Sequence, residues 1–172
     1  DTAPLAPNYN YLFAEDDRAF QKGLDVLQKL TPGKIFLGMN AERKPAATFL
    51  NAKGAEKKWF SGPHPAGLVG IQIHHIKPIK KGDVVWTMNV QDVVVLGRLF
   101  LEGIYDTSMK IALAGPEVKE PQYYKTYRGS SMEKSIGQQL KQEHVRLIAG
   151  NVLTGTRIDS KSHLGFFDNL VS

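Results

Sequence analysis

The run Ser61-Gly-Pro-His-Pro-Ala-Gly-Leu-Val-Gly70 is where residue type and spacing come closest to chemistry in this sequence. Lying between a strand-like stretch and a helix start, its glycines would let backbone N–H groups point at an anion or a flavin phosphate. The same glycines equally suit a turn that lets helix and sheet pack closely, Gly67 and Gly70 bringing the chain near a neighbouring strand. Pro63 and Pro65 restrict the backbone on both sides of His64, so its imidazole is held in a narrow range at little further entropic cost. His74 and His75 are adjacent and face different directions on any regular element. His64 and His74 lack a nearby carboxylate to complete a metal set, so we expect no metal and read the histidines as packing or hydrogen-bonding locally.

Other chemistries are thin. With no cysteine among the 172 residues, disulfides, thiolate zinc sites, cysteine nucleophiles and cysteine-held iron–sulfur clusters are excluded within the chain. No GxGxxG, Walker loop, HExxH or GxSxG motif occurs, and no paired carboxylates suited to acid–base work. Trp59, Phe60 and Trp86, near expected strand ends, read as core. Tyr123, Tyr124 and Tyr127 lie on an expected strand, where they pack or hold a flat ligand or partner. The charge is +5, from 22 Lys+Arg against 17 Asp+Glu. Before Tyr105 stand 13 basic and 10 acidic residues, and after it 9 and 7, so the excess is spread along the chain. A nucleic-acid binder gathers such charge onto one face, and we expect no nucleic-acid partner. Lys57-Lys58 and Lys77 with Lys80-Lys81 read as solvated surface.

The elements that must position these residues follow from patterning. Apolar residues at 42% are enough for a packed core, and no apolar run approaches the ~20 residues of a membrane span. The opening Asp1-Thr-Ala-Pro-Leu lacks a basic region and an apolar core, and reads as a cut inside a longer protein. Residues 1–14 look like a loop. A helix is expected over 15–30, its acidic start suiting the helix dipole and Thr31-Pro-Gly33 ending it. Strands are expected at 34–39, 57–60 and 84–88, with 40–56 left open. Helices are expected over 68–76 and from the Asn89 cap to Gly103. Alternating strand and helix suggest an α/β layer with parallel strands. After Tyr105 the pattern changes to strands at 110–114, 122–127 and 145–148. One helix, 132–139, opens on the capping-box pattern Ser130-Ser-Met-Glu133. That β–β–α–β order suits a small grasp-like sheet around one helix. The expected domains are 1–105 and 106–172.

Several stretches together resemble one family. They are Trp59-Phe-Ser-Gly-Pro-His-Pro-Ala-Gly-Leu-Val-Gly70, Ile73-His-His-Ile76, Val84-Val-Trp86 and Gln91-Asp-Val-Val-Val-Leu-Gly-Arg-Leu-Phe100. Ile111-Ala-Leu-Ala-Gly-Pro-Glu-Val-Lys119 and Gly150-Asn-Val-Leu-Thr-Gly155 extend the set. The chain is similar throughout to the A subunit of the bacterial sodium-translocating NADH:quinone oxidoreductase. The resemblance implies an α/β plus α+β fold, a partial Rossmann-like layer followed by an SLBB-type β-grasp domain, as in the flavin-carrying subunit of respiratory complex I. It implies a peripheral subunit on the cytoplasmic side of the bacterial inner membrane, bound to other subunits of the pump, especially a membrane-embedded one. Such a subunit contributes to quinone reduction and assembly. NAD(H) and ubiquinone or menaquinone are used by the whole complex, while neither flavin, NADH nor an iron–sulfur centre is expected here. The expected quinone or contact region is His64, Pro65, Gly67, Gly70 and His74. The alternative is a non-catalytic scaffold or small-ligand-binding module of the β-grasp type.

Overall fold

A computed structural model describes residues 1–142 and 144–172, without the side chains of residues 134 and 135. The chain divides into two compact units. The first comprises Asp1–Thr2 with Asn8–Asp106, and the second Ala3–Pro7 with Thr107–Ser172.

In the first unit, α1 (Tyr9–Leu12) is a single turn whose Asn8 cap accepts the amide hydrogen of Asn10, where a loop was expected. The long helix α2 (Asp17–Leu30) starts behind Glu15 and Asp16, opens on Asp17 and stops at Thr31. Ala19, Phe20, Gly23, Leu24 and Val26 form its buried stripe. β1 (Phe36–Asn40) and β2 (Glu56–Phe60) pair in parallel, Met39 opposite Trp59. The crossover between them carries α3 (Ala47–Leu50). Buried Thr48 on α3 donates its hydroxyl to the carbonyls of Phe13 and Ala14, and Phe49 meets Phe20 edge to face at 5.2 Å.

Helices α4 (Val69–Ile76) and α5 (Val90–Glu102) follow. Asn89 caps α5 by accepting the amide hydrogen of Gln91, and Gly103 ends it in the left-handed region at φ 72°. Two glycines let α2 and α5 touch backbone to backbone. A Cβ on Gly23 would lie 2.1 Å from the Val93 carbonyl oxygen, and one on Gly97 would lie 1.7 Å from that of Ala19. Val93 and Val94 thereby join Phe20, Leu24, Met39 and Phe49 in one core.

The expected strand at 84–88 does not form. A strand exists only through its ladder, and among the described residues no strand pairs with this stretch. Nor is Trp86 core: it is 91% exposed, and Trp59 on β2 is 49% exposed.

In the second unit, β3 (Ser108–Leu113) and β4 (Gln122–Tyr127) form an antiparallel pair with Ile111 opposite Tyr124. The helix α6 (Glu133–Ile136) continues as a 3₁₀ turn through Gln139, then come β5 (Leu147–Ala149), β6 (Thr156–Ile158) and β7 (Leu170–Val171). The strands lie in the order β4-β3-β7-β5-β6, with central β7 parallel to β3 and antiparallel to β5. Met132 and Ile136, beside and on α6, pack with Met109, Ile111, Leu113 and Val171, so one sheet wraps one helix. The expected capping box is absent. Met132 takes the cap position, and the Ser130 hydroxyl instead bonds Thr126 at 2.8 Å.

Candidate functional site

The turn at 61–70 leaves β2 and enters α4, and residues far away in sequence fix its shape. The His64–Pro65 peptide is cis. Ala66 donates to the Pro63 carbonyl at 2.9 Å and Leu68 to the Pro65 carbonyl at 2.8 Å, giving two successive turns. The Thr2 hydroxyl oxygen accepts the Gly67 amide hydrogen at 2.8 Å and lies 3.3 Å from His64 Nδ1. The Glu42 carboxylate accepts the Gly62 amide hydrogen at 3.0 Å, where Gly62 has φ 117°. Gln72 reaches back from α4 to the Ala66 carbonyl at 3.4 Å.

These bonds take four of the turn's amide hydrogens out of any anion cradle. The amide hydrogens of Gly62, Ala66, Gly67 and Leu68 are all committed within the unit, and the one anion present is the carboxylate of Glu42. The glycines also differ in role. A Cβ on Gly67 would fall 2.4 Å from the Thr2 nitrogen, a close approach to the start of the chain rather than to a strand. Gly70 faces open space, with nothing within 4 Å of a Cβ, so close packing does not require a glycine there.

Of the expected site residues, His64 and Gly67 meet through Thr2 and are half-buried; Pro65, Gly70 and His74 are exposed. The rings of His74 and His75 lie edge to face at 5.8 Å. Where the Thr2 hydroxyl donates to Nδ1, the neutral His64 ring carries its proton on Nε2 and can donate to a carbonyl oxygen there. Thr2, Glu42 and Gln72 had no local signal, because they act across 65, 20 and 6 positions of sequence.

A second polar feature joins α2 to the end of α5. Arg98 donates to Asp16 and to Asp106, each at 2.7 Å. Burial alone would pull its guanidinium down, but the two carboxylates outweigh burial and raise it. Beside it lies a shallow depression of about 220 Å³ lined by Glu15, Asp16, Arg18, Arg98 and Glu102. Among the described residues, no group of three or more His, Cys, Asp or Glu is arranged to hold a metal ion. No helix of the described residues is long and apolar enough to cross a membrane.

Comparison with known proteins bears on both units. A family model described as "NqrA second alpha/beta domain" matches residues 1–105, and one described as "NQRA C-terminal domain" matches residues 110–160. The Na(+)-translocating NADH-quinone reductase A subunit of Photorhabdus laumondii is 43% identical over the whole of this chain. Its namesakes from Vibrio campbellii and Psychromonas ingrahamii are each 38% identical, again over the whole chain. The chain spans 38% of the length of each of these relatives.

Proposed function

The chain belongs to the NqrA family, the A subunits of the Na(+)-translocating NADH-quinone reductase, and from that premise we propose that it is part of such a subunit, contributing to quinone reduction and assembly of the pump. We read residues 1–105 as a Rossmann-like α/β domain and 106–172 as an SLBB-type β-grasp domain. In this reading the chain faces the cytoplasm, peripheral to the bacterial inner membrane and bound to a membrane-embedded subunit. The complex uses NAD(H) and ubiquinone or menaquinone, while this chain, without a cysteine, holds no iron–sulfur cluster.

The observation that carries the site is the half-buried His64, whose ring lies beside the Thr2 hydroxyl in a turn tied to the start of the chain. A pre-ordered imidazole donating from Nε2 suits a quinone carbonyl, which accepts hydrogen bonds and carries no charge. It also suits a partner backbone carbonyl, the scaffold version of the same contact.

The test is the assembled complex carrying His64→Ala. A quinone contact predicts an increase of about tenfold in KM for quinone, with the complex still co-purifying, since one hydrogen bond in a binding site is worth about 1–1.5 kcal/mol. A scaffold contact predicts loss of co-purifying subunits instead. Unchanged KM and unchanged assembly would remove His64 from the function.

A further inference from the structure

Resting on the reading of this chain as part of a longer NqrA polypeptide, we propose that residues 84–88 are a β-strand whose pairing partner lies in the portion of that polypeptide outside these 172 residues. Val84-Val-Trp-Thr-Met88 combines β-branched, aromatic and apolar residues on both alternating faces, the pattern of a strand buried on two sides. Here it has no ladder partner among the described strands, and Val84 is 80% and Trp86 91% exposed. That apolar surface is out of proportion for one short stretch facing water.

Its surroundings are unfinished in the same way. Helix α4, which precedes it, buries none of its residues although half are apolar, and Val69 and Ile71 face solvent. The only strands described in this unit, β1 and β2, form a two-stranded parallel sheet. Parallel strands normally occur inside larger sheets covered on both faces. Lys77, Lys80 and Lys81 sit just before the stretch, the placement of charges that keep an apolar strand from pairing at random.

The occupant follows from length. The relatives extend well beyond this chain, which spans 38% of them, and the α/β unit matches a domain described as the second of its kind. A first α/β domain in the same polypeptide offers strands at high effective concentration, which a separate partner or second copy does not.

Hydrogen exchange on two isolated proteins, this 172-residue chain and the full-length polypeptide, tests the proposal. The amides of residues 85–88 should exchange at the free-peptide rate in the short chain. In the full-length polypeptide they should slow by at least about tenfold, as ladder hydrogen bonds form. Slow exchange of the β1 amides in both proteins shows that the unit is folded in each. Equal exchange of 85–88 in the two proteins overturns the proposal. Slowing that grows with the concentration of the short chain would point to a second copy and overturns it likewise. Since no quinone and no other subunit enters the measurement, a failure of the functional reading leaves its outcome readable.

Discussion

Thr2 ties the 61–70 turn to the start of the chain. Its hydroxyl oxygen accepts the Gly67 amide hydrogen at 2.8 Å and lies only at the long distance of 3.3 Å from His64 Nδ1. The turn should therefore depend on the approach at Gly67 more than on the imidazole. Gly67→Ala puts a Cβ 2.4 Å from the Thr2 nitrogen and should cost about 1–3 kcal/mol, as overpacking does. His64→Ala gives up one long, half-buried contact and should cost less than about 1 kcal/mol. Urea unfolding of the 172-residue chain, followed by tryptophan fluorescence, compares them directly. The reverse ranking would show that the imidazole, not the chain crossing, holds the turn. His64 was visible in the sequence because two prolines flank it. Thr2 and Glu42 were not, because a hydroxyl and a carboxylate that reach across 65 and 20 positions leave no periodic or local trace.

At the scale of elements, α2 and α5 are fixed by absence of side chain as much as by apolar burial. Gly97→Ala would drive a Cβ to 1.7 Å from the Ala19 carbonyl oxygen, and backbone cannot give way as a flexible side chain does. The variant should lose about 3 kcal/mol or more, at or above the usual range for overpacked cores. By contrast, Gly70→Ala at the start of α4 meets open space and should be neutral or slightly stabilising through helix propensity. Thermal melts of the two variants check the contrast, and a neutral Gly97→Ala would mean the helices cross with more room than the structure gives. These helices were readable in advance because their signals are local: the acidic start of α2, the Asn89 cap and Gly103 lie within a turn of the boundaries they set. The expected strand at 84–88 does not form within this chain for the complementary reason. Propensity says that a stretch suits a sheet, but pairing needs a second strand, and none is available to it among the described residues. The same limit hid β6 and β7, which have three and two residues and owe their existence to neighbours in the sheet.

For the whole molecule, the two units have separate apolar cores, and both tryptophans belong to the first. Tryptophan fluorescence thus follows the first unit, chiefly through Trp59 on β2, and not the second. Ile136→Ala empties a fully buried position under the second sheet and should cost that unit about 2–5 kcal/mol. Amide exchange across β3 should accelerate, while the tryptophan-detected transition stays where it is. A matching shift of both signals would show that the cores unfold as one cooperative block. The α2–α5 crossing also decides what kinds of motion the first unit can undergo. Packed helices usually accommodate change by shear, sliding a fraction of a turn over interleaved side chains. Here Gly23 rests on the Val93 carbonyl and Gly97 on the Ala19 carbonyl, two pivots of bare backbone on the same pair of helices. Two pivots leave neither a sliding nor a swivelling freedom. The pair is a stationary frame, so a displacement within this unit is taken up outside it, in the residue 77–89 stretch, where Gly82 at φ 94° and an exposed turn supply the joint.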